Sequence, residues 1–338
     1  MLDRAPAIRF DGGSVHTSVP IMPSPLVIDP ALLDPSAIPA ETLAVNAEII
    51  RRLNAEPEGL TIQEVRARRL QGLGAFPLPP FSQRAETIAI DGAAGPINLR
   101  VIAPKSPRGI FFHIHGGGWS LGAPELNDPL LESIAEGANV ACVSTRYRLA
   151  PEHPYPAGPD DCETAALWVV REGTRRFSTT KLVIGGESAG AHLSALTLLR
   201  LRDRHKISPF RAALLNYGCY DLALSPSVRR WGTEKLVLNT AGVMAFCRFF
   251  VPDEARRQDP EVSPLYADLR GMPPALFSVG TRDLLLDDTL FMAPRWLAAG
   301  NVAELALYPG ACHGFASVPF AQRDAAVARM NAFIGRYV

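Results

Sequence analysis

From about residue 84 onward, short apolar runs alternate with stretches whose apolar positions recur every three to four residues. The short runs predict strands over 85–91, 97–103, 109–115, 139–146, 181–185, 211–217, 275–280 and 303–308. The longer period predicts helices near 125–137, 159–172, 189–203, 286–300 and 319–336. Runs such as Leu182-Val183-Ile184 and Ala213-Leu214-Leu215 are apolar at every position, as strands covered on both faces must be. Alternation of such strands with helices predicts an α/β fold, a mostly parallel sheet between helical layers. No helical stretch separates the first two strands, which predicts an antiparallel start.

Two regions depart from this rhythm. Residues 1–40 are proline-rich and aperiodic, and Val19–Pro25 reads as an extended arm. Helices are predicted at 41–55 and 61–72, the second opened by a Thr61/Glu64 capping box and ended by Gly72, Gly74 and Pro77. Residues 219–270 separate two strands by more than one helix requires, and hold a helical stretch near 234–250 with Val243, Phe246, Phe249 and Phe250. Apolar residues without a partner need something to cover, so this insertion and the N-terminal helices are expected to form a lid. The alternative is a peripheral elaboration. The expected division is 1–80 for arm and cap helices, 81–218 with 271–338 for the α/β domain, and 219–270 for the cap insertion.

Composition narrows the class. Apolar residues make up 47% of the 338 and charged residues 20%, with 34 basic against 34 acidic side chains. This is a globular balance, and it gives no basic surface for nucleic acid. Arg66, Arg68 and Arg69 read as a solvated helix face. The five cysteines are scattered and odd in number, which argues against a disulfide framework or zinc site. No apolar run suits a signal peptide or a membrane span, and a cytoplasmic setting is expected.

Three clusters carry chemistry. Gly186-Glu187-Ser188-Ala189-Gly190 matches G-x-S-x-G, of which about 0.1 chance copies are expected in a chain this long. Its context decides: a predicted strand precedes it and a helix follows, the setting of a sharp turn that lifts the Ser188 hydroxyl over a helix N-terminus. His115-Gly116-Gly117-Gly118-Trp119 follows another apolar strand. Consecutive glycines let backbone N–H groups approach a developing oxyanion, with Gly117, Gly118 and Ala189 as donors within a hole formed by Gly116, Gly117, Gly118 and Ala189. His115 is expected to brace this loop. A phosphate loop is disfavoured because no Lys-Ser or Lys-Thr follows.

A serine nucleophile needs a base, and the base an orienting carboxylate. Of the seven histidines, His313 alone lies between the last predicted strand and the last helix. His16 lies in the arm, His153 and His205 in loops; His192 is expected to pack within its helix and His113 to point out of a strand. Asp283 follows strand 275–280, whereas Asp287 and Asp288 are expected to cap the next helix. The order Ser188, Asp283, His313 is that of α/β-hydrolases.

The chain resembles the hormone-sensitive-lipase-like branch of the α/β-hydrolases, which includes many bacterial carboxylesterases. The two glycine motifs carry the resemblance, together with Tyr147-Arg148-Leu149-Ala150-Pro151-Glu152-His153-Pro154-Tyr155-Pro156-Ala157 and Asp160 and Asp161 beyond it. That last stretch is expected to fix the loop behind the oxyanion hole. The resemblance runs from about residue 84 to the C-terminus, more loosely over the N-terminal helices. It implies an α/β-hydrolase core with a helical cap, hydrolysis of small short-chain acyl esters, no cofactor, and a possible homodimer. Glu187 departs from the Asp or Thr usual at that position. Trp119, Phe246, Phe249 and Phe250 are candidates for the substrate pocket. An amidase, deformylase or acyltransferase would use the same three residues, and a non-catalytic ligand-binding relative would be expected to lose one of them.

Overall fold

The computed structural model describes residues 26–338, so the expected arm over 19–25 lies outside them. Eight strands form one sheet: β1 (Glu86–Ile90), β2 (Ile97–Ile102), β3 (Gly109–Ile114), β4 (Val140–Thr145), β5 (Leu182–Glu187), β6 (Phe210–Asn216), β7 (Ala275–Gly280) and β8 (Ala303–Tyr308). Their order is β1-β2-β4-β3-β5-β6-β7-β8, with β2 antiparallel to both neighbours and every other pairing parallel. Strands β3 to β7 are buried at every position except one on β6, which accounts for their apolar runs.

Ten helices accompany the sheet: α1 (Ala40–Asn54), α2 (Ile62–Leu70), α3 (Asp128–Gly137), α4 (Ala157–Trp168), α5 (Thr174–Arg176), α6 (Ala189–His205), α7 (Pro226–Trp231), α8 (Thr240–Phe250), α9 (Leu286–Ala298) and α10 (Ala321–Gly335). Side chains of α3 and α10 build the core on one face of the sheet, and those of α4, α6 and α9 the core on the other. The Thr61/Glu64 capping box forms on α2 as expected.

Several expectations need correction. Strand β5 continues past the expected end at 185 through Gly186 and Glu187, which stay extended and pair with Leu215 and Asn216. The helix placed at 234–250 starts only at Thr240: Val237 sits at φ 67°, and the Asn239 side chain accepts the Gly242 N–H at 2.8 Å, capping a shorter helix. Asp287 and Asp288 do not cap α9. Asp288 is buried and accepts the N–H groups of Tyr220 and Asp221 at 2.6 and 2.9 Å and the Ser225 hydroxyl at 2.6 Å. Asp287 accepts the Ser227 N–H at 2.7 Å. The pair therefore pins the start of the 219–270 segment to the sheet domain.

The N-terminal helices are tied down by apolar packing of Ile49 and by polar contacts. From α1, the buried Asn46 amide donates to the Gly310 carbonyl at 2.8 Å. From α2, Arg66 donates to the carbonyls of Ser120 and Ala150, both at 2.6 Å, and pairs with Glu152 at 2.8 Å. Arg68 donates to the Leu73 carbonyl at 2.8 Å. The three arginines read as a solvated face are in fact half-buried, because α2 lies against the loops beyond β3 and β4.

Candidate active site

The chain reverses direction at Ser188, between the end of β5 and the start of α6. Ser188 has φ 57° and ψ −121°, a region L-residues rarely occupy. Its N–H donates to the Asn216 carbonyl at 2.9 Å, which holds the turn against β6. A Cβ at either Gly186 or Gly190 would collide with the Ile114 carbonyl oxygen at the end of β3. The two glycines thus let the turn close onto the strand that leads into the glycine loop. A Cβ at Gly116 would stand 2.7 Å from the Glu187 carbonyl oxygen, so the loop in turn lies directly on the elbow.

Asp283 and His313 arrive from the ends of β7 and β8. The Ser188 Oγ lies 2.8 Å from His313 Nε2, and His313 Nδ1 lies 2.9 and 3.1 Å from the two Asp283 carboxylate oxygens. Asp283 and His313 are buried. The Leu285 N–H also donates to Asp283 Oδ1 at 2.9 Å, fixing the carboxylate. The two supporting loops interlock: a Cβ on Gly280 would strike the Ala311 carbonyl, and Gly310 N–H donates to Thr281 Oγ1 at 2.7 Å.

In the glycine loop, Gly117 and Gly118 have φ of 117° and 58°, both in the range that favours glycine. Among the described residues, the N–H groups of Gly117, Gly118 and Ala189 have no protein acceptor. His115 braces the loop as expected. Its ring stacks on Tyr147 with centroids 4.3 Å apart, its Nδ1–H donates to the Gly116 carbonyl at 2.8 Å, and burial pushes its pKa down to about 3. The 147–157 stretch also holds the loop, through Ala150 N–H to the Trp119 carbonyl at 2.9 Å and Tyr147 hydroxyl to the His115 carbonyl at 3.0 Å. Arg148 grips Asp161 at 2.8 and 2.9 Å beneath it.

Residues 111–317 match the α/β-hydrolase fold family Abhydrolase_3. Carboxylesterase NlhH of Mycobacterium tuberculosis is 33% identical over 266 residues, covering 76% of this chain and 82% of that protein. The chain belongs to the α/β-hydrolase family, on its hormone-sensitive-lipase-like carboxylesterase branch. A hyperthermophilic esterase from the archaeon Pyrobaculum calidifontis superposes with a TM-score of 0.78 at 28% identity, over 88% of this chain and 98% of its own. A hormone-sensitive lipase from a metagenome library shares the fold, with a TM-score of 0.77 at 24% identity over 89% and 99% of the two chains. The chain is an ester-hydrolysing enzyme.

In this hydrolase a cavity of about 1000 Å³ opens over Ser188. Its floor is the glycine loop, Ser188, Ala189 and His313; α1, α2 and α8 contribute to its walls. Of the three phenylalanines singled out on α8, Phe246 lines the cavity, packed so closely that a Cβ on Gly118 would stand 2.6 Å from its ring. Phe250 is buried instead, stacked on Trp119 with centroids 4.7 Å apart and planes 7° apart. Phe249 packs on the core. Trp119 lines the cavity but is only 2% exposed, and its Nε1–H donates to His192 Nδ1 at 3.0 Å. With Nδ1 accepting, His192 donates from Nε2 to the Val262 carbonyl at 2.7 Å. Burial pushes its pKa down to about 4, so this neutral ring ties glycine loop, α6 and the 219–270 segment together.

Two features lie beyond what the sequence suggested. His113 projects from β3 as expected but is wholly buried, with Nε2 2.8 Å from Glu187 Oε2 and Nδ1 2.8 Å from Ser144 Oγ. Glu187, the unusual residue before Ser188, thus ends a chain of polar groups that joins β3, β4 and β5. Tyr217, at the end of β6 with φ 38°, sets its ring edge-on to His313 with centroids 5.2 Å apart. Its signal was its place just past a strand's C-terminal end, where parallel sheets collect functional side chains.

Proposed function

We propose that this hydrolase cleaves small, short-chain acyl esters through an acyl-enzyme on Ser188, with His313 as base and Asp283 as its orienting acid. The observation that carries this reading is the 2.8 Å contact of Ser188 Oγ with His313 Nε2, continued at 2.9 Å from Nδ1 to Asp283. His313 takes the Ser188 proton as Oγ attacks the ester carbonyl, and Asp283 stabilises the imidazolium that results. The N–H groups of Gly117, Gly118 and Ala189, set on Gly116 as a spacer, receive the oxyanion. They are pre-positioned and unpaired, so no reorganisation accompanies the charge as it develops. His313 then returns its proton to the alkoxide, which departs as alcohol. Water, deprotonated by the same imidazole, releases the acid.

The helices α1, α2 and α8 act in this reading as the cap over the acyl site, and the segment 219–270 belongs to it. Apolar side chains such as Leu121, Val243, Phe246 and Leu285 around the cavity suit a small acyl group. Five buried, unpaired cysteines fit a reducing, cytoplasmic setting. No helix among the described residues is long and apolar enough to cross a membrane. A homodimer is expected by analogy with the branch, and sedimentation equilibrium checks it.

The test is hydrolysis of p-nitrophenyl esters from acetyl to dodecanoyl by the parent and by Ser188→Ala. The proposal expects highest kcat/KM at the short end and a loss of roughly a thousandfold or more in the variant. Parental activity in Ser188→Ala would remove Ser188 from the mechanism, and a maximum at dodecanoyl would remove the short-chain assignment.

A further inference from the structure

We infer that Arg69 is a specificity residue of this cavity, binding a carboxylate carried by the substrate away from its scissile ester bond. The inference rests on the esterase reading above and names the substrate class for it. Arg69 stands in the last turn of α2, half-buried, and lines the same cavity as Ser188 and His313. Among the described residues it makes no hydrogen bond and no ion pair.

Its neighbours differ in this respect. On the same helix, Arg66 donates to two carbonyls and pairs with Glu152, and Arg68 donates to the Leu73 carbonyl and pairs with Glu56 at 3.4 Å, although its Nε is left without a partner. Along the cavity wall, Glu48 pairs with Arg51 and Arg52, Arg323 pairs with Asp324, and Glu41 accepts the Ala321 N–H. Glu56 is the acid that acts on Arg69 from afar, and it is already engaged by Arg68.

Burial lowers the Arg69 pKa, the mark of a cation partly stripped of water. A guanidinium nevertheless stays charged in neutral solution. A cation on the cavity wall without a protein partner is open to an entering anion, and a planar fork of donors matches a carboxylate in particular. The apolar residues of the wall give an entering ester contact and the charged side chains beside them, Glu41, Glu48, Arg52 and Arg323, are already engaged, so Arg69 is the feature that would separate an anionic ester from its neutral isostere.

The carboxylate could belong to either half of the ester, and two substrate series separate the cases. Monoethyl esters of dicarboxylic acids of increasing length carry it in the acyl half; acetate esters of hydroxy acids carry it in the alcohol half. Each is compared with its uncharged isostere. The expected result is a preference of roughly tenfold or more in kcat/KM for the anionic member of one series, expressed in KM. In Arg69→Gln that ratio falls to about unity, and in Arg69→Lys part of it survives, since the charge remains and the fork does not. Calorimetric binding of the dicarboxylate monoamides and N-acetylated amino acids to Ser188→Ala, with and without Arg69→Gln, reads the same contact without turnover. Ratios near unity in both parent series, or a preference that Arg69→Gln leaves intact, would overturn the assignment. Ser188-dependent cleavage of neutral esters would still stand in that case. Absence of any ester cleavage would instead fail the esterase reading, with the binding measurement deciding Arg69.

Discussion

The floor of the cavity and its helical walls are built on different terms. The floor is backbone against backbone: the carbonyl of Ile114 lies between Gly186 and Gly190, Gly116 rests on the Glu187 carbonyl, and Gly280 rests on Ala311. No side chain can adjust there, so the positions of Ser188, His313 and the loop N–H groups are mutually determined. The walls are side chains on helices, fastened by apolar packing of residues such as Ile49, Val243 and Phe250 and by polar contacts, Asn46 to Gly310 and Arg66 to Ser120 among them. In the proposed function, chemistry that tolerates little displacement falls to the first and choice of substrate to the second.

If this contrast holds, substitution in the floor should unfold the site while substitution in the walls should retune it. The largest effect is expected from Gly190→Ala. The added methyl meets the Ile114 carbonyl and the backbone of His115, so the elbow must open. Destabilisation of about 3 kcal/mol or more, or failure to accumulate as folded protein, is expected in urea unfolding. Near-parental stability with full activity would show the floor to be softer than argued.

A smaller effect is expected from Phe246→Ala on α8. This ring covers Gly118 and is partly buried. Its loss should cost about 1–2 kcal/mol of stability while moving the optimum toward longer acyl chains by roughly tenfold in relative kcat/KM. An unchanged acyl-chain profile would detach α8 from substrate choice.

A pH-linked effect is expected at the joint between the two regions. Burial raises the Asp288 pKa to about 7, against the hydrogen bonds it accepts from Ser225, Asp221 and Tyr220. The folded protein then holds a proton that the unfolded chain has released above its ordinary carboxylate pKa. This stabilisation is fully present below the unfolded value of 3.8 and is lost as pH rises to about 7. Unfolding free energies measured from pH 4 to 8 should include this decline, on the order of a few kcal/mol, and Asp288→Asn should flatten it. Parallel pH curves for parent and variant would contradict the assignment.

Much of the floor was legible in the sequence because it depends on local signals. Fully apolar runs mark strands covered on both faces, and glycines beside Ser188 mark a turn that excludes Cβ atoms. Asp283 and His313 could be chosen because each follows a strand end. What escaped depends on residues far apart in sequence. His113 joins Glu187 and Ser144 only once β3 lies between β4 and β5. Asp288 has the sequence setting of a helix cap, but the returning segment at 220–225 claims its carboxylate. Arg66 looked like a surface charge until α2 was laid over the loop at Ser120. The late start of α8 follows from Asn239 and Val237, whose turn conformation overrides the apolar periodicity around them.

The central claim is that Ser188 is the nucleophile that the floor exists to position. Intact-mass measurement after reaction with a fluorophosphonate tests it most directly. The parent should gain one adduct on the peptide containing Ser188, and Ser188→Ala, shown folded by circular dichroism, should gain none. An equal adduct on the folded variant, or an adduct mapped to another residue of the parent, would contradict it.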